Sequence, residues 1–499
     1  PTYPLLFYRQ TYPEEIRISY PKAGEKNPFV SLHLYNLQTG EDLSLYEDSV
    51  GGYLPWFSWS PTADILYFVH LNRPQNRFTL YFYEVGRSTA PQIFLQDSTK
   101  GYFSWDNRQL IVWHPTQSEL FYSALGEGGW EIRRYNAKGQ KLSTYKIPGL
   151  REVIGCAEDR LFFQAAGRTP YYQRIGYISL SDKKTTPRWL TSDTTWAEGE
   201  LAGGVLRIIE SGLMQPYREF LCRASKPEEC ISLPDLNADL RTYRLPIQFR
   251  FVRFPGVEGD SLWGYILFPE TLYTDRRYPV VLTFYGGPGS QQVSYAFKNI
   301  SFYWQAYLVM RGYIVACADV RGTALYPEKR FSTYLRLGLL ETEDLVAFVG
   351  WLRSLPYVGK IGAFGWSYGG YLAIRLAFAA PDGLAAAIAV APPTNWRLYD
   401  TAYTERFMDT PQANPEGYQR TALPPPGVPL RVPLLIMHGD ADDNVHVQNT
   451  YHFIEKLLRN QPDAPLEWRI LPNQNHSLPQ YRYRVYLEIE HFLDNFLKK

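Results

Sequence analysis

The sequence has no excess of charge of either sign. Its 499 residues include 51 Lys and Arg and 50 Asp and Glu, which leaves a net charge of +1. A chain without a strong field of one sign has no general attraction for nucleic acid or for an anionic membrane surface. Long apolar runs are also missing, since the longest, residues 384–391, is far shorter than the roughly 18 residues of a membrane-spanning helix. We therefore predict no nucleic-acid partner and no membrane span in this chain.

Cysteine is scarce, with four residues at positions 156, 222, 230 and 317. They are too few and too scattered for a disulfide scaffold or a zinc site, and no motif points to another metal or to an organic cofactor. Cys222 and Cys230 can close a short loop in an oxidising compartment, or all four can be unpaired apolar side chains. We expect a periplasmic or secreted protein, although no signal peptide is visible in the opening residues PTYPLLFYRQ.

Aromatic residues are abundant, at 16% of the chain, which favours a β-rich architecture with aromatic pockets. In residues 1–246, short strand patterns alternate with turns, and two motifs recur. WSPTADILYF from Trp59 returns as WHPTQSELFY from Trp113, and YNLQTGEDLS from Tyr35 returns as YNAKGQKLS from Tyr135. These offsets correspond to one and two periods of roughly 50 residues, which is typical of β-propeller blades. We therefore predict about four to five blades, with hairpins of a β-sandwich as the alternative.

Residues 247–499 follow a different pattern, in which apolar strands alternate with helical stretches. Such runs are typical of a mostly parallel sheet that is covered by helices on both faces. The predicted strands are residues 279–285, 313–320, 361–364, 384–391, 433–438 and 466–471. A final helix is predicted from the apolar stripe formed by Val485, Ile489, Phe492, Leu493 and Phe496. This half is therefore expected to be an α/β domain.

The sequence IGAFGWSYGG, residues 361–370, places Ser367 between two glycines. Such a stretch can simply be a tight loop that happens to contain serine. Here, however, a strand pattern over 360–364 precedes it, and a helical pattern begins at Tyr368 and stops before Pro381. A strand, a sharp Gly-x-Ser-x-Gly turn and a helix form the nucleophile elbow of α/β-hydrolases. Ser367 is therefore the predicted nucleophile of an α/β-hydrolase domain.

A serine nucleophile needs a base, and the base needs a carboxylate that orients it. In α/β-hydrolases the acid and then the histidine follow the serine along the chain, each on a loop after a strand. His476 is the histidine that follows the last predicted strand, so it is the predicted base. The loop after 433–438 offers three carboxylates, Asp440, Asp442 and Asp443, and spacing alone leaves the choice among them open.

Four motifs carry a family resemblance: FYGGPGS at 284–290, GWSYGG at 365–370, WRLYDTAYTERFM at 396–408 and HGDADDNVH at 438–446. Together they resemble the prolyl oligopeptidase family of serine peptidases, and specifically its dipeptidyl peptidase IV branch. The resemblance implies that Asp442 is the acid of the triad. It also implies a homodimer that removes dipeptides from peptide substrates with a free N-terminus, preferably after proline or alanine.

The same resemblance assigns further roles around the serine. It implies that the Tyr285 hydroxyl and the backbone N–H of Tyr368 form the oxyanion hole, whose donors stabilise the charge that develops in the transition state. Asn444 matches an amide that hydrogen-bonds a substrate carbonyl. The small apolar pocket for the proline ring is matched by Tyr368, Trp396, Tyr399, Tyr403 and Val445. From spacing alone, the aromatic residues of the 396–408 motif are equally compatible with a helical core stripe.

The chain departs from the family pattern in one respect. In relatives, a pair of glutamates binds the free amino group of the substrate, and both lie upstream of the segment that matches YPKAGEKNP, residues 20–28 here. Glu14 and Glu15 align with a strand after that site, and Glu228 and Glu229 do not match it, so we assign no amine anchor. The family propeller also has more blades than this half supplies, so we expect a propeller that is incomplete at the N-terminus of this sequence.

Three functions are compatible with these observations. The preferred one is a serine exopeptidase that releases Xaa-Pro or Xaa-Ala dipeptides through an acyl-enzyme. The second is an oligopeptidase, an acyl-peptide hydrolase or an esterase on the same fold, for which no amine anchor is needed. The third is a non-enzymatic propeller binding protein, because one fold can serve several functions.

Overall fold

The computed structural model describes residues 1–105, 110–126, 129–182 and 186–499. They divide into two compact units. The blade unit comprises Pro28–Arg244 and Ser294–Phe302, and the hydrolase unit comprises Pro1–Asn27, Leu245–Val293 and Tyr303–Lys499. The sequence predicts a single boundary between residues 246 and 247, whereas the structure groups Pro1–Asn27 with the C-terminal half.

The hydrolase unit begins with an antiparallel hairpin of two strands, β1 (Thr2–Phe7) and β2 (Glu14–Ser19). The segment Tyr20–Asn27 follows, and we call it the strap. Two backbone hydrogen bonds of 3.0 Å join Pro21 and Ala23 of the strap to residues 399–401 of the same unit. Pairing between segments so far apart in sequence leaves no local signal, because strand partners are decided by tertiary contacts. This explains why the strand-like pattern of residues 1–27 was assigned to the blades.

The blade unit is built from antiparallel sheets. Its strands are β3 (Val30–Tyr35), β4 (Asp42–Asp48), β5 (Tyr53–Trp59), β6 (Ile65–Leu71), β7 (Arg77–Glu84), β8 (Gln92–Ser98), β9 (Ile111–Trp113), β10 (Glu119–Gly126), β11 (Gly129–Asn136), β12 (Lys141–Tyr145), β13 (Leu150–Ala157), β14 (Arg160–Ala166), β15 (Gln173–Ser179), β16 (Arg188–Trp189), β17 (Trp196–Ala202), β18 (Val205–Gly212), β19 (Gln215–Arg223) and β20 (Lys226–Ser232). β3 and β4 form a two-stranded sheet, while β5–β8 and β9–β12 each form a four-stranded sheet in sequential order. β13–β16 and β17–β20 are two further four-stranded sets, joined by one parallel bridge between Gln173 and Trp196. The predicted propeller blades are thus confirmed.

The repeated sequence motifs occupy equivalent places in different blades. Trp59 is the last residue of β5, and Trp113 is the last residue of β9. Asn36 and Asn136 each accept, through Oδ1, the backbone N–H two residues further on, at 2.9 and 3.0 Å. Asparagine is favoured in such turns because its side chain can close them. The period in the sequence therefore corresponds to a repeated strand–turn–strand unit.

The last two strands of the blade unit are covalently linked. Cys222 of β19 and Cys230 of β20 face each other in the ladder and form a disulfide. Cys156 and Cys317 are free and buried. The sequence allowed either a Cys222–Cys230 disulfide or four unpaired cysteines, and the structure contains the disulfide.

The hydrolase unit contains one large sheet. Its strands are β21 (Ile247–Pro255), β22 (Ser261–Pro269), β23 (Tyr278–Thr283), β24 (Ile314–Ala318), β25 (Val358–Trp366), β26 (Ala386–Val390), β27 (Leu434–Gly439) and β28 (Leu466–Leu471). They lie in the order β21-β22-β24-β23-β25-β26-β27-β28. β21 and β22 pair antiparallel with their neighbours, and the other strands pair in parallel. The mostly parallel sheet confirms the α/β prediction, and β23–β28 correspond to the six predicted strands.

Helices follow most strands of this sheet. They are α1 (Ala238–Thr242, in the blade unit), α2 (Asn299–Met310), α3 (Leu339–Arg353), α4 (Tyr368–Ala379), α5 (Thr401–Met408), α6 (Pro415–Thr421), α7 (Gln448–Asn460) and α8 (Arg482–Leu493), with short 3-10 turns at Val257–Gly259, Pro327–Lys329 and Trp396–Leu398. α8 continues into a π-helical turn, Asp494–Lys498, in which Leu497 is buried and Phe496 is half-buried. A π turn contains more residues than an α-helical turn, so the buried position at the end of the predicted apolar stripe is Leu497 rather than Phe496. In the part of the chain that the structure describes, no helix is long and apolar enough to cross a membrane.

Candidate active site

The turn from β25 into α4 holds Ser367 in a strained conformation. Its φ of 57° and ψ of −120° are unusual for a residue with a side chain, and such strain is a common feature of functional sites. The Ser367 N–H donates to the Val390 carbonyl at 2.8 Å, and the Ser367 carbonyl accepts the Tyr371 N–H at 3.0 Å. Backbone bonds on both sides therefore fix the serine at the carboxyl end of β25.

Glycine is required on both sides of this turn because the backbone approaches itself closely. A Cβ at position 365 would lie 2.1 Å from the carbonyl oxygen of Gly369, and one at position 369 would lie 2.5 Å from the Phe284 carbonyl oxygen. Neither distance is compatible with a side chain. The Gly-x-Ser-x-Gly pattern is thus explained by sterics, and it leaves the Ser367 side chain only partly covered.

His476 and Asp442 meet at the carboxyl ends of two adjacent parallel strands. Asp442 follows β27, His476 follows β28, and the His476 Nδ1–H donates to Asp442 Oδ2 at 2.7 Å. The other two candidate carboxylates are placed differently: Asp440 accepts the Asn473 N–H at 2.6 Å, and Asp443 is exposed. Of the three carboxylates, it is therefore Asp442 that contacts the predicted base.

Four donors converge on the Asp442 carboxylate. Oδ1 accepts the backbone N–H groups of Asn444 and Val445 at 3.0 and 2.9 Å, and Oδ2 accepts from His438 Nε2 at 3.1 Å as well as from His476. Burial alone would raise the pKa of Asp442, but the bonds from His438 and His476 outweigh it and lower that pKa to about 2. The carboxylate is therefore ionised at neutral pH. No motif or spacing indicates that His438, which lies on β27, contacts the acid.

Two aromatic side chains border the serine. The Tyr285 hydroxyl, two residues beyond β23, is within hydrogen-bonding reach of the Ser367 side chain; burial raises the pKa of Tyr285, and this bond opposes the rise. Trp366 Nε1–H donates to the His476 carbonyl at 3.2 Å and so links the elbow to the histidine loop. Tyr368 begins α4, where backbone N–H groups have no partner within the helix. The tyrosine hydroxyl and that N–H are the donors expected of an oxyanion hole.

An aromatic cluster lies beside the elbow. Its ring centroids are separated by 5.5 Å for Tyr368 and Trp396, 6.1 Å for Trp396 and Tyr399, 6.3 Å for Trp396 and Tyr403, and 5.4 Å for Tyr399 and Tyr403. The Tyr399 hydroxyl donates to Asn444 Oδ1 at 2.6 Å, and the neighbouring Val445 is buried. The structure therefore brings together the residues predicted for the apolar pocket and connects them to the predicted amide.

A buried carboxyl group that the sequence analysis did not identify lies behind this cluster. The Tyr368 hydroxyl donates to Glu341 Oε1 at 2.7 Å, and Glu341 on α3 is fully buried. Burial raises the pKa of Glu341 to about 7, and the hydrogen bond from Tyr368 opposes that rise only in part. A glutamate at the start of an amphipathic helix normally faces solvent, so the sequence pattern did not distinguish Glu341.

The four glutamates that are not assigned as an amine anchor are all exposed. Glu14 and Glu15 are exposed on β2, and Glu15 pairs with Arg17 at 2.5 Å. In the blade unit, Glu228 accepts the Tyr177 hydroxyl and Glu229 pairs with Lys226 at 3.1 Å.

Comparison with known sequences gives matches to two family profiles. Residues 300–499 match the prolyl oligopeptidase family, and residues 1–209 match the dipeptidyl peptidase IV N-terminal region. The chain is 29% identical to dipeptidyl peptidase 4 of Arthroderma otae over 482 residues, which cover 90% of this chain and 61% of that protein. Dipeptidyl peptidase 4 of Trichophyton equinum gives the same identity and coverage. The chain thus spans about six-tenths of the length of these curated relatives.

A solved structure resembles the whole chain. The crystal structure of Porphyromonas gingivalis dipeptidyl peptidase 4 matches with a TM-score of 0.91 and 33% sequence identity, and the match covers 100% of this chain and 71% of that one. The likeness therefore extends over the blades and the hydrolase sheet alike.

Proposed function

The chain belongs to the prolyl oligopeptidase family of serine peptidases, in its dipeptidyl peptidase IV branch, and from this premise we propose that it is a serine exopeptidase. The proposed reaction releases Xaa-Pro and Xaa-Ala dipeptides from free N-termini. The observation that carries the proposal is the 2.7 Å hydrogen bond between His476 and Asp442. These residues lie on the loops after β28 and β27, and Ser367 follows β25 of the same sheet.

Each member of the proposed triad has one task. Ser367 Oγ attacks the carbonyl carbon of the second substrate residue while His476 Nε2 accepts the hydroxyl proton and then gives it to the leaving amine, which forms an acyl-enzyme. Water then attacks the acyl carbon, its proton passes through His476 back to Ser367 Oγ, and the dipeptide leaves as the acid. Asp442, ionised because its pKa is about 2, keeps the proton of His476 on Nδ1 so that Nε2 can act as the base.

The oxyanion of each tetrahedral intermediate is assigned to two donors. The Tyr285 hydroxyl is within hydrogen-bonding reach of the Ser367 side chain, and the Tyr368 N–H follows Ser367 at the first residue of α4. Donors placed in advance in this way contribute typically about 10²- to 10³-fold to the rate. The raised pKa of buried Tyr285 keeps its hydroxyl protonated and therefore able to donate.

The aromatic cluster supports selectivity for proline or alanine at the cleaved bond. Flat walls around a compact space leave no partner for a charged side chain, which would be buried unpaired. Asn444 adds a polar contact: because Oδ1 accepts from Tyr399, Nδ2 is turned to donate to a substrate carbonyl. This orientation agrees with the role that the family resemblance assigns to Asn444.

The test is cleavage of Gly-Pro-anilide beside the same substrate with an acetylated N-terminus. Cleavage of the free amine only would establish an exopeptidase with an amine anchor. Equal cleavage of both would reassign the protein as an oligopeptidase or an acyl-peptide hydrolase. No cleavage, together with no labelling of Ser367 by an organophosphonate, would leave the non-enzymatic binding role.

Two further parts of the proposal concern where and how the protein works. The Cys222–Cys230 disulfide supports an oxidising location, in the periplasm or outside the cell. Mass analysis of the protein as isolated, with thiols alkylated, tests whether the pair is oxidised.

The family resemblance supports a homodimer, which sedimentation velocity would test.

A further inference from the structure

We propose that Tyr20 is a positioning residue that holds Asn444 at the substrate pocket, so that the strap Tyr20–Asn27 helps to set the affinity for substrate. This inference rests on the proposed function, because Asn444 is assigned there as a substrate ligand. It adds a role for residues that precede the first blade and that lie outside the triad and the four motifs of the hydrolase sheet.

Tyr20 contacts both sides of the substrate-binding loop. Its hydroxyl donates to the Asn444 carbonyl oxygen at 2.7 Å. Its ring lies 4.1 Å from the His446 ring at 48°, and 6.5 Å from the Tyr399 ring in an edge-to-face arrangement. Tyr399 in turn hydrogen-bonds the Asn444 side chain. The half-buried Tyr20 side chain therefore contacts both the Asn444 backbone and Tyr399, the residue that orients the Asn444 amide.

The strap can act as a firm support because it is tied to the start of α5. The Ala23 N–H donates to the Tyr399 carbonyl, and the Thr401 N–H donates to the Pro21 carbonyl, each at 3.0 Å. The Gly24 N–H donates to Glu405 Oε1 at 2.8 Å. Since α5 also carries Tyr403 of the aromatic cluster, the strap connects two of the three chain segments that form the pocket.

His446 completes the support through its ring faces. Its ring stacks on Tyr3 of β1 with a centroid separation of 3.4 Å and an interplanar angle of 4°. His446 is fully buried, and neither of its ring nitrogens bonds to a residue that the structure describes. Burial, helped by nearby Lys22, lowers the pKa of His446 to about 3, so the imidazole is neutral at physiological pH. His446 therefore contacts both Tyr3 and Tyr20 as a neutral ring.

The test compares Tyr20→Phe with Tyr12→Phe. Tyr20→Phe removes the hydroxyl and keeps the ring. Tyr12→Phe removes one hydroxyl in the same way from a residue that is 84% exposed in the turn of the hairpin preceding the strap. A net hydrogen bond corresponds to about a two- to ten-fold change. We expect Tyr20→Phe to raise KM for Gly-Pro-anilide by that factor, with kcat within about two-fold. Tyr12→Phe should match the wild type in both constants.

A double-mutant cycle with Asn444→Ala separates positioning from general destabilisation. If Tyr20 acts through Asn444, Tyr20→Phe has no further effect on KM in the Asn444→Ala background. A loss that is the same in both backgrounds, or one confined to kcat, would overturn the inference.

Hydrogen exchange gives a readout that does not depend on catalysis. Tyr20→Phe should speed amide exchange in residues 444–446 and leave exchange in α4 unchanged, because the lost bond is local. If the wild type fails to cleave Gly-Pro-anilide, the proposed function fails, and exchange alone decides the structural claim. Unchanged exchange in residues 444–446 would refute it whatever the activity.

Discussion

Replacement of Asp442 by asparagine tests the centre of the proposed mechanism. The carboxylate accepts from His438 and His476 through one oxygen and from two backbone N–H groups through the other. An asparagine side chain has a single oxygen and carries two protons on its nitrogen, so two of these four donors lose their acceptor. If the amide nitrogen faces His476, that imidazole must place its proton on Nε2. It can then no longer accept the proton of Ser367.

The size of the effect follows from both roles of the carboxylate. A histidine held in the wrong tautomer lowers kcat by about 10⁴-fold in a serine triad. The pKa of Asp442 is lowered from its ordinary value of 3.8 to about 2, which corresponds to roughly 2 kcal/mol of folding free energy. Because this pKa is depressed, that stability is present above pH 3.8 and is lost as the pH falls towards 2. Asp442→Asn lacks this pH-dependent contribution.

The assay pairs the variant with its exposed neighbour. Asp443→Asn makes the same change of charge one residue away, on a side chain that is exposed. We expect Asp443→Asn to cleave Gly-Pro-anilide within a few-fold of wild type, and Asp442→Asn to lose about four orders of magnitude in kcat at pH 8. Thermal melts at pH 7 and pH 3 measure the effect on stability. An Asp442→Asn variant within ten-fold of wild type, or an Asp443→Asn variant that is equally impaired, would refute the assignment.

Three further variants probe the groups around this pair. Ser367→Ala should reduce turnover to background with an unchanged melting temperature, and appreciable residual peptidase activity would remove Ser367 as the nucleophile. Tyr285→Phe should lower kcat by about 10²- to 10³-fold with KM close to wild type; a loss confined to KM would speak against an oxyanion donor. Glu341 keeps its proton in the folded protein up to a pKa of about 7 but releases it near 4.5 when unfolded, so wild-type stability should fall by roughly 3 kcal/mol between those pH values. Glu341→Gln, which still accepts the Tyr368 hydroxyl, should flatten this slope in denaturant titrations, and identical slopes would contradict the buried-proton argument.

The features that were predicted from the sequence are those set by local sterics and periodicity. The turn at Ser367 leaves a clear signal in the sequence because only glycine fits at positions 365 and 369, where an added Cβ would lie 2.1 and 2.5 Å from backbone oxygens. The central parallel strands β24, β26 and β27 were recognised because burial on both faces makes them nearly unbroken apolar runs. β21 and β22 were not predicted, since β21 is largely half-buried or exposed and its residues alternate in character.

The features that were not predicted depend on contacts between distant parts of the chain. Asp440, Asp442 and Asp443 are alike in sequence, and the direction of each side chain is fixed only by the loop backbone. Residues 1–27 were assigned to the blades because their strand pattern says nothing about which partner they choose. The contacts of Tyr3 and Tyr20 with His446 were not predicted either, because these residues are far apart in the sequence. A histidine whose ring nitrogens bond nothing in the described structure is visible only once its neighbours are placed.

The arrangement of two imidazoles on one carboxylate oxygen restricts where positive charge can reside. His438 Nε2–H faces two acceptors, Asp442 Oδ2 and the Val445 carbonyl at 2.7 Å, while its Nδ1 faces the Thr450 hydroxyl at 2.7 Å. This ring is wholly enclosed, whereas the His476 side chain is 20% exposed. A second cation in the enclosed position would be left without a counter-ion, because a single carboxylate serves both rings. In the proposed mechanism the positive charge therefore forms on His476, while His438 serves as a hydrogen-bond donor to the Asp442 carboxylate.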